Sequence, residues 1–246
     1  MPEEPIGNER IVLVHGAMHG AWCWEKIVPL LAARGRRVVA IDLPGLGDDP
    51  ADPDTVTFED YVNRIVETVE AEPGRVVLVG HSMGGNPITQ AAEVFGDRVA
   101  RLVYLAAILP IPGDEPDAVS ARIFASDESL IARAARASRP GYLDVDPDMA
   151  ASVFYNTSPP EDAQKAVARL RPQSQAVANS PTGHSHAVWG AIPKSYILCL
   201  QDRGVPPSIQ RWMCERVPGI TIHELDQDHS PFYSAPEALA DILAKS

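Results

Sequence analysis

The chain has 246 residues, 45% of them hydrophobic, and a formal net charge of -12 at pH 7. That length holds one large α/β domain or two small ones, and the negative charge argues against nucleic acid or an anionic membrane surface as a partner. The cysteines Cys23, Cys199 and Cys214 cannot all pair and form no C-x-x-C motif, which gives no support to a zinc site or redox pair and points to a reducing, cytoplasmic compartment.

Met1 to Arg10 has neither a basic n-region nor an apolar h-region, so no secretory signal is expected. Ile11-Val12-Leu13-Val14 is continuously apolar, as in a strand covered on both faces. His15-Gly16-Ala17 ends it. Trp22 to Arg34 reads as one helix with Trp24, Ile27, Val28, Leu30 and Leu31 on a stripe and Gly35 as its stop, despite Pro29. Val38 to Ile41 is the next strand, running into the turn chemistry of Asp42-Leu43-Pro44-Gly45-Leu46-Gly47. A loop rich in aspartate follows, then a helix over Thr57 to Val69, with Thr57 as N-cap and Asp60 three residues on.

Val76-Val77-Leu78-Val79-Gly80-His81-Ser82-Met83-Gly84-Gly85 is the stretch around which the chain is organised. An apolar strand ends at a glycine, a serine sits between Gly80 and Gly84, and a helix follows to about Phe95. This is G-x-S-x-G in its strand-to-helix setting. The turn is too sharp for bulky neighbours, and it aims the Met83 N–H at a substrate oxygen that gains charge. Leu102 to Ala106 is another buried strand; the apolar stretch that it opens, Leu102 to Pro112, is too short to span a bilayer.

From Pro110 to about Pro193 prolines recur and no strand is expected. Ser129 to Ala137, Pro147 to Phe154 and Pro160 to Leu170 read as helices. The expected organisation is therefore a core of residues 1–111 and 190–246 with a helical cap, or lid, over 112–189. Strand rhythm returns at Ser195 to Leu200, and a helix follows from Pro207 to Arg216. Ile220 to Leu225 is the last strand, and a closing helix runs from Pro236 to Ala244. Strands alternating with helices imply a parallel sheet covered on both faces, with its site beyond the carboxyl ends of the strands.

A serine hydroxyl needs a base, and the base an orienting carboxylate. On a nucleophile elbow their chain order is Ser, Asp, His, which Ser82, Asp202 and His229 satisfy. Of the seven histidines, His229 alone sits in a loop between the last strand and a helix. His223 lies inside a strand, His184 and His186 in the insertion, His15 and His19 in the first loop, and His81 beside the nucleophile. Asp202 directly follows an apolar strand, whereas Asp226 and Asp228 are too close to His229 along the chain. The backbone of Ala17 is the candidate second oxyanion donor. No residue cluster suggests a metal or other cofactor.

Leu13-Val14-His15-Gly16-Ala17-Met18-His19-Gly20-Ala21-Trp22, Ala40-Ile41-Asp42-Leu43-Pro44-Gly45 and Gly80-His81-Ser82-Met83-Gly84-Gly85 resemble the α/β-hydrolase fold superfamily. The closer similarity, with Gln210-Arg211-Trp212 and Asp228-His229, is to the plant methylesterase and hydroxynitrile lyase branch and its bacterial esterase relatives. The resemblance implies Ser82 as nucleophile, His229 as base, Asp202 as acid, and Ala17 and Met83 as oxyanion amides. It fades between about 112 and 190.

Lyases of that branch carry a threonine where this chain has Gly16 and a lysine where it has Ser230, so ester hydrolysis is the expected reaction and cyanohydrin cleavage the alternative. A non-catalytic ligand receptor on the same fold is a third reading. Dehalogenases of similar fold use an aspartate where this chain has Ser82. The expected partner is a small-molecule ester; the oligomeric state is open, a homodimer being compatible with the sequence.

Overall fold

The short apolar runs become the strands of one sheet. A computed structural model of the chain describes residues 9–113, 115, 118–136, 139–178, 180 and 187–246. Its main strands are β1 (Arg10–Val14), β2 (Val38–Ile41), β3 (Val76–His81), β4 (Val99–Leu105), β8 (Lys194–Cys199) and β9 (Thr221–Leu225). Three shorter ones, β5 (Ala135–Arg136), β6 (Tyr142–Val145) and β7 (Gln173–Ser174), lie between β4 and β8. The helices are α1 (Ile27–Ala33), α2 (Phe58–Glu70), α3 (Gly85–Phe95), α4 (Ala118–Ala125), α5 (Ile131–Ala134), α6 (Pro147–Phe154), α7 (Pro160–Val167), α8 (Gln175–Ala178), α9 (Pro207–Cys214), α10 (Pro231–Ser234) and α11 (Pro236–Ala244).

Six strands form a sheet in the order β2-β1-β3-β4-β8-β9, every neighbouring pair parallel. Alternate residues face opposite sides. Ile11, Leu13, Val77 and Val79 pack with Trp24, Ile27 and Leu31 of the first loop and α1 and with Leu239 and Leu243 of α11. Val12, Val14 and Leu78 pack with Tyr61 and Ile65 of α2 and Ile88 of α3 on the other side. Both faces are thus covered, which is why these strands read as unbroken apolar runs. Connections reverse direction between β1 and β3, and the crevice at such a switch point is where an α/β sheet places its ligand. Among the described residues no helix is long and apolar enough to cross a membrane.

Thr57 caps α2 as expected. Its Oγ1 accepts from the Asp60 N–H at 3.2 Å and the Asp60 carboxylate accepts from the Thr57 N–H at 2.8 Å, a reciprocal capping box. The single helix expected over Trp22 to Arg34 is instead a 3₁₀ turn, Ala21–Trp24, followed by α1. Pro29 is tolerated because it stands third in α1, where the amide it lacks would have no intrahelical partner. Gly35 ends the element in the left-handed region, at φ +76°.

The expectation of no strand between Pro110 and Pro193 is corrected: β5, β6 and β7 form a small antiparallel sheet. Two of its members are two residues long, too short for a period of two to register in a sequence. The helix expected over Ser129 to Ala137 shrinks to α5, because Ala135 and Arg136 pair with Val145 and Asp144. Ala137, His184, His186, Pro116 and Pro181 lie outside the described residues.

Candidate active site

Ser82 follows β3 directly and opens a 3₁₀ turn, Ser82–Gly84, that passes into α3. Its φ is +52°, a left-handed conformation that costs a non-glycine residue about 1–3 kcal/mol. The glycines around it are required by close approach. A Cβ on Gly80 would lie 2.5 Å from the Gly84 carbonyl oxygen, and one on Gly84 would lie 2.7 Å from that of His15. The Ile108 N–H donates to the Ser82 carbonyl at 2.9 Å and ties the turn to the chain beyond β4. Ser82 remains half-buried, with its neighbours His81 and Met83 fully covered.

Asp202 follows β8 and His229 follows β9, both almost fully buried. The His229 Nδ1–H donates to Asp202 Oδ2 at 2.7 Å, which leaves Nε2 of the neutral ring as the lone-pair nitrogen. Asp202 is enclosed by donors. Its Oδ1 accepts from the Gly204 and Val205 N–H groups at 2.7 and 2.9 Å, and its Oδ2 also accepts from Gln210 Nε2 at 2.9 Å. Burial pushes its carboxyl pKa up, against the opposing pull of the His229 ring and these bonds. Gln210, fully buried on α9, also accepts from the Cys199 N–H at 3.1 Å, so one side chain joins the end of β8 to Asp202.

Three further histidines converge here, and sequence reasoning had set all three aside. The His81 Nε2–H donates to the His229 carbonyl oxygen at 2.9 Å, and the two rings pack with centroids 4.6 Å apart. The His15 Nδ1–H donates to the Gly16 carbonyl at 2.8 Å, while its Nε2 accepts from the Leu43 N–H at 3.0 Å. That carbonyl belongs to the peptide unit whose N–H is Ala17's, and the unit is planar and trans. Holding the oxygen therefore fixes the direction of the amide. The His19 Nδ1–H donates to the Ala17 carbonyl at 2.7 Å, and its Nε2 accepts from the Tyr155 hydroxyl at 2.7 Å.

Each of these rings is buried and neutral. Burial depresses the pKa of His15 to about 4 and of His19 to about 3, and takes His81 well below the usual value. For His15 the bonding pattern itself demands neutrality, since a proton on Nε2 would face the Leu43 N–H.

Ala17 and Met83 stand on the loops after β1 and after β3, which approach each other at Gly16 and Ser82. Close packing joins them: a Cβ on Gly16 would lie 2.7 Å from the Ser82 Cβ and 3.0 Å from His81 Nδ1. Ser82, Asp202 and His229 all lie beyond the carboxyl ends of their strands, as parallel-sheet geometry anticipates. Asp228, judged badly placed from its spacing, does not approach the His229 ring; its carboxylate binds Thr157, Ser158, Ser230 and Ser234 instead. Of the insertion's aromatic residues, Phe154 lies 5.6 Å, ring to ring, from His229 and Tyr155 reaches His19. Phe124 is exposed on α4, and Trp189 bonds through its indole N–H to the Tyr104 hydroxyl in the core.

Known proteins are similar to this chain along almost its whole length. Probable esterase PIR7A of Oryza sativa subsp. indica is 32% identical, with 97% of each chain covered. Methylesterase 1 of Arabidopsis thaliana is 33% identical over 97% of this chain and 95% of its own. The crystal structure of polyneuridine aldehyde esterase superposes with a TM-score of 0.87 at 28% identity, covering 96% of this chain and 98% of that one. Residues 11–242 match the model of the alpha/beta hydrolase family, and the chain belongs to that family.

Proposed function

We propose that the protein is a serine hydrolase that cleaves carboxylic esters of small to medium molecules through an acyl-enzyme. The observation that carries the reading is the buried His229–Asp202 pair, 2.7 Å apart, resting on the residue that precedes the strained Ser82. Relatives named as esterases and methylesterases support the same chemistry.

In this reading Ser82, His229 and Asp202 form a catalytic triad. The Ser82 oxygen bonds to the ester carbonyl carbon as His229 Nε2 takes its proton. Negative charge collects on the carbonyl oxygen, where the Ala17 and Met83 N–H groups receive it. Collapse breaks the bond to the alkoxy oxygen, which leaves as alcohol with the proton from His229. Water then gives a proton to the same nitrogen as its oxygen bonds to the acyl carbon; the bond to the Ser82 oxygen breaks, His229 returns the proton to that oxygen, and the acid is released. Asp202 fixes the imidazole tautomer and stabilises the transient imidazolium. Burial argues for that role, because a carboxylate surrounded by four donors is held in one orientation.

The lyase alternative fits less well. A side chain at Gly16 would meet the Ser82 Cβ, so the threonine expected of a lyase has no room unless the turn moves. Ser230, where a lyase would have its lysine, is fully buried and uncharged. The segment over 112–189 acts as the cap under which the ester enters, with Phe154 nearest the base. The three cysteines are buried and unpaired, which supports the cytoplasm as the working compartment.

Release of p-nitrophenol from short-chain p-nitrophenyl esters tests the proposal. Turnover is expected in the wild type and should fall at least about 10³-fold in Ser82→Ala. A folded wild type without turnover, or a mutant that keeps it, would overturn the reading.

A further inference from the structure

Immediately after α6 the four residues Tyr155, Asn156, Thr157 and Ser158 touch three of the four loops that carry groups of the proposed site. The Tyr155 hydroxyl donates to His19 Nε2, and His19 in turn holds the Ala17 carbonyl, both at 2.7 Å. Asn156 Nδ2 donates to the carbonyl of Gln201, the residue before Asp202, at 3.1 Å. The Thr157 N–H and the Ser158 hydroxyl both donate to Asp228 Oδ2 at 2.9 Å, and the Asp228 N–H donates to Thr157 Oγ1 at 3.0 Å. Asp228 precedes His229 and is fully buried. Its other oxygen accepts from the Ser230 N–H and the Ser234 hydroxyl at 3.0 and 2.9 Å. Four donors on one buried carboxylate make a rigid clamp across the base, since leaving any such group unmatched is expensive.

We infer that Tyr155–Ser158 is a positioning strap that sets the oxyanion, acid and base loops in mutual register. The insertion is then required for the rate of the chemical step and not only for choosing the substrate. The three loops come from separate strands, after β1, β8 and β9, and are not neighbours in sequence. One short segment reaching all three can correlate their positions as no bond within a single loop could. Its arms land on Ala17 through His19, on the residue before the acid and on the residue before the base. This is the pattern needed to transmit position to reacting groups, for which an error of 1 Å can lower the rate about 10²-fold.

The arm through His19 has a further chemical requirement. The Ala17 carbonyl accepts a proton donor, so His19 must carry its proton on Nδ1, and Nε2 is a bare lone pair. The Tyr155 hydroxyl satisfies that lone pair and so selects the tautomer that holds Ala17. Removing the hydroxyl lets the proton move to the other nitrogen, which would leave the Ala17 carbonyl without its donor.

The inference rests on the ester-hydrolase reading, and Tyr155→Phe and Thr157→Val test it. Phe keeps the ring and Val the shape, so each removes one oxygen. Steady-state kinetics on a short p-nitrophenyl ester would be compared with inhibition by an aryl trifluoromethyl ketone. That ketone forms a tetrahedral adduct on a nucleophilic serine and draws on the oxyanion amides. Tyr155→Phe is expected to lower kcat about 10- to 100-fold with KM within twofold, and to weaken the ketone by the same factor. Thr157→Val should lower kcat in the same manner. Unchanged kcat in both variants, or a rise in KM alone, would overturn the inference while leaving the hydrolase reading intact. An inactive wild type would sink that reading and the inference with it. A second readout is independent of turnover: imidazole ¹⁵N NMR of the wild type should show His19 protonated on Nδ1, and a proton on Nε2 would refute the relay.

Discussion

Acidification from pH 7 to pH 5 should remove about 4 kcal/mol of folding stability through His15 and His19, with His81 adding to the loss. An unfolded histidine takes up its proton near pH 6.5. In the folded protein burial delays this to about 4 for His15 and about 3 for His19, and to well below the ordinary value for His81. Between those limits the unfolded state binds more protons, so stability falls as the pH falls. The loss begins near pH 6.5 and ends once the folded rings titrate. For one such group, the change in proton binding between pH 7 and pH 5 amounts to about 2 kcal/mol. His15 and His19 together give about 4, a large share of the roughly 5–15 kcal/mol available to a folded domain, and His81 adds in the same direction.

Carboxylates do not mimic the effect. Asp49, Asp54 and Asp60 have lowered pKa values, through backbone, hydroxyl or arginine bonds that outweigh any burial. They withdraw stability only below about pH 4, where the unfolded carboxylates gain protons. Urea melts at pH 7, 6 and 5 would measure the histidine window, with the m-value as a check on two-state behaviour. The thermal midpoint should drop by about 8–16 °C over the same interval. His19→Gln removes one proton from the balance and should reduce the slope, whatever it does to stability at pH 7. A protein equally stable at pH 7 and pH 5, or a slope untouched by His19→Gln, would refute the assignment of these rings as buried and neutral.

Gln210→Leu should lower kcat and destabilise the fold by about 1–3 kcal/mol, because the Cys199 N–H and one oxygen of Asp202 lose a buried partner. Paired urea melts and ester kinetics check it, and an unaltered kcat would remove Gln210 from the support of the acid. The left-handed backbone at Ser82 makes the opposite kind of forecast. Both Ser82→Gly and Ser82→Ala should be inactive, but the glycine variant should be the more stable of the two by about 1 kcal/mol. Relief of about 1–3 kcal/mol of strain outweighs the roughly 0.5–1 kcal/mol that glycine loses in chain entropy. Differential scanning calorimetry should place it about 2–4 °C higher.

The parallel sheet was legible because its strands are covered on both faces. Ile11 to Val14 and Val76 to Val79 are apolar without interruption, a pattern that an amphipathic helix does not produce. The capping box at Thr57 and the stop at Gly35 were legible because each is a local device, complete within four residues or fewer. The insertion was not. Tyr142 to Val145 pairs with segments two residues long on either side, and ladders that short carry no periodic signal. The hydrogen bonds from separate strands that organise Tyr155 to Ser158 leave no mark on the spacing of those residues.

The candidate site divides along the same line. Ser82, Asp202 and His229 could be named because each stands at a strand end in an order that the chemistry demands. His15, His19 and His81 were weighed as rival bases, and on that test they fail. Their work depends on never titrating: a neutral imidazole offers one donor and one acceptor at opposite sides of a rigid ring, so it can join two polar groups at a fixed angle. His15 does this between Gly16 and Leu43, and His19 between Ala17 and Tyr155. A lysine or arginine offers no acceptor, and a serine is too short to span the gap. A histidine in the first loop of such a chain is therefore better judged by the carbonyl it can reach than by the proton it can carry. That test requires the loop's conformation, here set by the left-handed Met18 at φ +65° and by the close approach of Gly16 to the turn at Ser82.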